Sequence, residues 1–251
     1  MNKLVFCISL GAVFFFVGCG DDSSPAKPSL EDSSTSSKVT KPAEVKTGII
    51  TDARDGKSYK TVTIGSQTWM AQNLNYETAN SYCNNDSTKY CEKYGRLYTW
   101  AAAMDSAGTW STNGKGCGYG STCLPTGTVQ GVCPVGWHLP SRDEFEALFT
   151  AVGGQSAAGK VLKSTSGWSD LGNGSSGNGT DAYSFSVLPA GNRNDRGEYY
   201  FSEGYNARFW NSTEFDSNNA YGVHLYYGND NVFLDYVSKY LGYSVRCIKD
   251  D

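Results

Sequence analysis

Residues 133–152, CPVGWHLPSRDEFEALFTAV, form the stretch whose reading decides the fold. Ser141 is a natural helix N-cap, and Glu144 three residues on completes a capping box. Phe145, Leu148, Phe149 and Val152 then recur at helical spacing and give one apolar stripe. Asp143, Glu144 and Glu146 complement the positive end of the helix dipole, and Gly153-Gly154 stop the helix. A short second helix is expected around residues 157–163. Helices with a single apolar stripe must lie against another layer, and the rest of the chain offers sheet.

Upstream, residues 49–76 read as short strands. Asp55-Gly56 is a hairpin turn signal, residues 59–64 alternate in the strand manner, and Gly65 allows a second turn before residues 67–70. Residues 94–104 place Leu97, Trp100, Ala101 and Met104 at helix spacing. Residues 77–93 and 105–132 read as loops. Downstream of a Gly-, Asn- and Ser-rich run at 172–180, everything reads as β. Tyr183, Phe185 and Val187 alternate with serines, and Tyr221, Val223, Leu225 and Tyr227 alternate with Gly222, His224 and Tyr226. Residues 208–213, 231–236 and 243–248 are further strand candidates. The expected class is α+β: two helices with twisted antiparallel sheets and long disulfide-clipped loops. No internal repeat is present.

The first 22 residues fix the compartment. Lys3 precedes an apolar run from Leu4 to Val17, and Gly18 stands directly before Cys19. Charged start, apolar middle and small residue at the cut describe a secretory signal, expected over residues 1–18. With a Cys just after the cut, the layout resembles a bacterial lipoprotein signal, with Phe16 in place of the usual Leu; in that pattern Cys19 carries the lipid. An uncleaved membrane anchor is the alternative, but it needs about 17–25 apolar residues. Asp21 and Asp22 resemble the acidic surface-export tether of some Gram-negative lipoproteins, or are plain solvated charge.

Residues 19–47 then combine the lipidated Cys with a Ser-, Pro-, Lys- and Glu-rich linker too polar to fold, reaching roughly 30 Å as a coil. Residues 48–251 form one uniform block, long enough for one substantial core. Loss of the signal leaves 20 basic against 25 acidic side chains, a net charge of −5. Without a basic patch, nucleic acid is not an expected partner.

Of eight Cys, Cys7 leaves with the signal and Cys19 takes the lipid. Six remain, an even number suited to disulfides in an exported chain. Spacing favours Cys83–Cys91 and Cys117–Cys123 as local clips, leaving Cys133 to meet Cys247. With no C-x-x-C pair and only two His, a structural zinc site is not expected.

The strings DGKSYKTVTIGSQTWMAQNLNY, YGRLYTWAAAM, CPVGWHLPSRDEFEAL, FSVLPAGNR, FWNSTE and YSVRCIKD occur in this order between about Thr51 and Lys249. The chain thereby resembles the Fibrobacter succinogenes major paralogous domain family. The resemblance implies an exported, often lipid-anchored protein with a C-type lectin-like fold; together with the signal and the acidic tether, the expected location is the outer membrane, at the cell surface. In that fold a Cys near a helix is linked to one in the last strand, in agreement with Cys133 and Cys247. No activity is implied for the family as a class.

Calcium-dependent sugar binders of the lectin fold carry a Glu-Pro-Asn or Gln-Pro-Asp loop, absent here, and a Trp-Asn-Asp strand motif. Trp210-Asn211-Ser212 approaches the second, but Ser212 lacks the carboxylate that Ca²⁺ wants. Trp210 is read instead as a core aromatic, alternating with Arg208 and Ser212. Asn192, Asn194, Asp195, Asp216, Asn229 and Asp230 offer a second set of oxygen ligands, though turns demand the same residue types. No cofactor is expected, structural calcium being the alternative.

His138 is read as a packed residue before the helix and His224 as facing outward. Neither adjoins a nucleophile motif. A formylglycine-generating type of enzyme would share the fold, but it relies on free late cysteines. No pair of acids stands out for glycoside hydrolysis. The chain is therefore not expected to be an enzyme.

What stands out is aromatic excess: 17 Tyr and 6 Trp, all after the signal. Tyr199, Tyr200, Tyr205, Tyr226, Tyr227 and Tyr236 form the candidate ligand surface, because such rings suit contact faces. Two roles follow. One is a lipid-anchored surface module binding plant cell-wall polysaccharide or another glycan. The other is a structural or protein-interaction component of the outer envelope.

Overall fold

The computed structural model describes residues 44–194 and 203–251. The signal, Cys19, most of the linker, Asp195, Tyr199 and Tyr200 lie outside the described residues.

Strands β1 (Lys46–Thr51), β2 (Ser58–Ile64) and β3 (Gln67–Met70) form an antiparallel meander. β1 begins slightly ahead of the expected domain boundary. The β1–β2 turn is built by Asp52, whose buried carboxylate accepts from Arg54 N and Nε, while Gly56 takes the left-handed φ of 74°. Gly65 does the same at the β2–β3 turn, with φ 60°.

Two further short strands are β4 (Ser81–Tyr82) and β5 (Leu97–Tyr98), which pair with each other. The meander is extended by β6 (Trp137–His138) and by the last strand, β10 (Ile248–Lys249), in the order β1-β2-β3-β10-β6. Both ends of the domain thus share one sheet. The second large sheet is antiparallel: β7 (Asn206–Glu214), β8 (Asn219–Tyr226) and β9 (Val232–Ser238).

Four α-helices are present among the described residues: α1 (Thr88–Tyr94), α2 (Trp100–Ala103), α3 (Arg142–Ala151) and α4 (Gln155–Leu162). α3 carries the full capping box, with Glu144 N donating to Ser141 Oγ and Ser141 N to the Glu144 carboxylate. Its stripe residues Phe145, Leu148 and Phe149 are buried, and Phe145 packs on Trp69 with ring centroids 4.9 Å apart.

The two larger sheets each contribute to a core on both faces. Val62, Ile64, Trp69, Phe209, Val223 and Leu225 join the α3 and α4 stripes in one cluster. Their strand neighbours Tyr59, Met70, Trp210 and Ala220 turn the other way, into a second cluster with Tyr98, Trp100, Tyr243 and Cys247. Cys133–Cys247, Cys83–Cys91 and Cys117–Cys123 are all formed, as the spacing predicts.

Several expectations are corrected. The segment 94–104 is not one helix. Gly95 takes φ 76° and packs so closely on Asn73 that a Cβ would sit 2.7 Å from it, which ends α1. The chain then pairs as β5 before Thr99 caps the single turn of α2. α1 itself falls in a region read as loop, because only Cys91 and Tyr94 of its residues turn inward.

Tyr183, Phe185 and Val187 are buried but do not form a strand. Ser184 and Ser186 adopt left-handed φ near 55° and 53°; Ser184 N donates to the Asp181 carbonyl, and Ser186 N and Oγ donate to the Asp181 carboxylate. The carbonyls of Phe185 and Ser186 accept from the Arg246 guanidinium instead of from a ladder partner. Residues 243–247 likewise make only isolated bridges, Tyr98↔Tyr243 and Phe209↔Ser244, before β10.

Candidate ligand-binding surface

The three-stranded sheet carries exposed aromatic rings at both of its ends, each held by a buried lysine. At the β7–β8 end, Lys239 Nζ donates to Glu214 Oε1 (2.5 Å), Ser121 O (2.9 Å) and Ser217 O (3.2 Å), and lies 4.6 Å from the centroid of the Trp100 ring. Both side chains of the pair are buried. The other Glu214 oxygen accepts from Cys123 N and Leu124 N, so the pair staples the Cys117–Cys123 loop to the sheet. Gly120 N adds a bond to Ser217 O.

On this frame Tyr119 stacks on Tyr240 with centroids 3.9 Å apart, and Phe215 stacks on Tyr236 at 4.1 Å. All four rings stay 45–56% exposed. Behind them the Arg142 guanidinium covers Tyr221, which meets Phe215 edge-on.

At the β8–β9 end, Lys163 Nζ donates to the carbonyls of Tyr226 (3.1 Å) and Asn229 (3.0 Å), beside the Trp168 ring. Burial of its ammonium lowers the Lys163 pKa. Tyr205 meets Tyr227 edge-on at 5.1 Å, and Tyr226 adjoins Tyr227 at 5.7 Å. Tyr205 and Tyr226 are exposed, whereas Tyr227 is half-buried against the core.

The structure therefore divides the expected surface. Tyr205, Tyr226 and Tyr227 come together. Tyr236 pairs with Tyr221 near the start of β8 and belongs to the opposite end. Tyr119, Phe215 and Tyr240 are new members that the sequence reading missed. A signal existed: Tyr119 sits between glycines inside a six-residue disulfide spacing, too short a loop to bury it.

Trp210-Asn211-Ser212 faces inward. Trp210 is fully buried, donates Nε1 to Tyr98 O at 2.7 Å and stacks on Tyr243. Asn211 Oδ1 accepts from Thr213 N. Of the second set of oxygen donors, Asp195 lies outside the described residues, and Asp216 and Asn229 serve different turns. Asp216 caps the β7–β8 turn through Asn218 N and Asn219 N, while Asn229 caps the β8–β9 turn through Asn231 N.

His138 is packed, with Nδ1 2.7 Å from Asp250 and Nε2 2.8 Å from Glu144, so both ring nitrogens are engaged by carboxylates. Burial disfavours its charge, but these hydrogen bonds outweigh burial and raise its pKa. His224 does not face outward as expected. It packs edge-on against Tyr243, whose ring also lies against Gly222 on the same face of β8. Burial, reinforced by the positive charge of Arg208, pushes its pKa down to about 3.

Away from the sheet ends, a cleft of about 800 Å³ lies between β1–β2, the C-terminal end of α1 and residues 181–188. Its size suits a small ligand. Its rings, Tyr59 and Tyr94, are buried edges of the core rather than exposed faces.

A family model, that of the Fibrobacter succinogenes major domain, matches residues 62–249. No curated protein and no solved structure matches the chain.

Proposed function

We propose that this chain, which belongs to the Fibrobacter succinogenes major domain family, is a lipid-anchored module that binds plant cell-wall polysaccharide or another glycan at the cell surface. One observation carries the reading: exposed aromatic rings gather at the two ends of a single sheet. Single exposed apolar residues are ordinary, whereas gathered ones mark contact surfaces. A tyrosine offers an apolar face to the C–H side of a pyranose ring and a hydroxyl to its hydroxyls.

The rest of the proposal concerns placement. Cys19, following an apolar run, carries the lipid at the outer membrane, and the polar linker gives the domain a reach of roughly 30 Å. A C-type lectin-like fold is favoured by the union of both domain ends in one sheet and by the bridge from the segment before α3 to the residue just ahead of the last strand.

Metabolic labelling with palmitate should mark the wild-type protein and not the Cys19→Ser variant; equal labelling of both would remove the anchor. Electrophoresis of the full chain through gels containing soluble xylan or mixed-linkage β-glucan should retard it. Free migration in every gel, together with capture of an envelope protein, would move the assignment to a structural or interaction role.

A further inference from the structure

The cleft of about 800 Å³ between β1–β2, the C-terminal end of α1 and residues 181–188 has a wall that the fold holds at a cost. Asp181, Ser184 and Ser186 line it, and all three take a left-handed φ, of 47°, 55° and 53°. Glycine adopts that conformation freely, whereas a side chain is strained by it. Such strain persists only where the surroundings impose it, and it gathers at functional sites.

Arg246, itself buried, imposes it. Its guanidinium donates to the carbonyls of Phe185 and Ser186 and to Asn73 Oδ1, while Asn73 Nδ2 donates to the carbonyl of Tyr94 at the end of α1. Among the described residues Arg246 forms hydrogen bonds but no ion pair, and burial pushes its pKa down to about 9. A buried cation without a paired anion is expensive. Here one network fixes both the strained loop and the end of α1, which are two sides of the same cavity.

The lining also holds unspent hydrogen-bonding groups. Among the described residues, Ser184 Oγ, Lys60 Nζ and Gln72 Nε2 have no protein partner, and the Tyr59 hydroxyl accepts from Asn75 N with its own proton free. Ile49, Ala71 and Leu188 add apolar surface to the same lining. Its charges balance. Lys57 pairs with Asp55 and Lys93 with Glu203, which leaves Lys60 against Glu92, and Asp181 against the attraction of Arg246. A strongly charged ligand finds no net attraction there, whereas an uncharged one with many hydroxyls meets donors, acceptors and apolar contacts together.

We infer that this cleft binds a short neutral oligosaccharide, held by Ser184, Lys60, Gln72 and Tyr59. This deepens the glycan reading and rests on it: the cleft takes a soluble chain or a chain end, apart from the rings at the sheet ends. Groups fixed in place by a buried network lose little freedom on binding, which favours affinity from a small contact.

The test is calorimetric titration of the full chain, purified in detergent, with cellotetraose, xylotetraose and a glucuronate-substituted xylotetraose. Wild type should bind at least one neutral tetrasaccharide saturably. Ser184→Gly/Lys60→Ala removes two of the groups while giving position 184 the residue that its φ suits, and it should bind about tenfold more weakly or worse. Thr47→Trp, at an exposed position of the lining, should obstruct the cleft and abolish binding. Lys60→Ala alone serves should either variant fail to melt cooperatively, and it too should weaken binding.

Tetrasaccharide binding that is unchanged in the folded cleft variants overturns the cleft and leaves glycan binding standing. So does a wild type that is retained on insoluble xylan or cellulose but binds no tetrasaccharide. Binding of the glucuronate-substituted chain more than about tenfold tighter than its neutral parent overturns the neutral ligand class, since such a gain requires a net positive site. Failure of the wild type on every soluble and insoluble glycan removes the cleft and the glycan reading together.

Discussion

His138 and His224 are the two histidines of the chain, and their surroundings oppose one another. His138 is clasped by Glu144 and Asp250, which hold its pKa above the ordinary value despite burial. Its contribution to stability is therefore complete below about pH 6.5 and is lost as the pH rises through the raised folded value. His224 is buried beside Arg208, with a pKa near 3. Its contribution is complete above about pH 6.5 and erodes below it, because the unfolded chain then takes up a proton that the native chain refuses until about pH 3. NMR titration of the imidazoles should give a His138 midpoint above 6.5 and a His224 resonance unchanged down to about pH 4. The reverse pattern would contradict both environments. Neither could be read from sequence, since Asp250 lies 112 residues from His138 and Arg208 stands on the neighbouring strand. Glu144 was legible as a cap, and its second role on His138 was not.

At the scale of elements, α3 was legible in full because its signals are local: cap, box and stripe all lie within one helix. Replacing Ser141 by Ala removes the acceptor for Glu144 N and a donor to its carboxylate. The expected loss is about 1–2 kcal/mol, against only a few tenths for Ser141→Gly. Urea unfolding checks this, and an unchanged midpoint for the Ala variant would contradict the cap. Elements decided by tertiary partners were misread. Helical spacing at 94–104 is real, but Gly95 must pass close to Asn73, and that approach prevails over propensity. The alternation at 183–187 is likewise real, because the alternate side chains are buried. Arg246 supplies the donors that a strand partner would have given, and nothing local to 183–187 announces it. The stacked pair of Tyr119 and Tyr240 was missed for the same reason: its two segments meet only through Lys239, Glu214 and the Cys117–Cys123 loop.

At the scale of the whole molecule, the long bridge joins the segment before α3 to the residue just ahead of the last strand across 114 residues. In the chain-entropy model such closure restricts the unfolded state by about 4–5 kcal/mol, against about 2–3 for each short clip. Domains are stable by only about 5–15 kcal/mol. Cys133→Ala/Cys247→Ala should therefore lower the melting temperature more than loss of either clip, and an equal or smaller drop would contradict the ranking. The class α+β and the three bridges were legible because composition, periodicity and cysteine spacing report on global constraints. The position of the binding face was not, because it depends on which turns meet at the sheet ends. The central claim is that this face takes glycan without a metal. Its most direct test is the depletion isotherm of the full wild-type chain on insoluble xylan and cellulose, with and without chelator. The account predicts saturable retention on at least one of them, identical in both conditions and little changed by salt. Absence of retention on both, or retention only with free calcium, would contradict it.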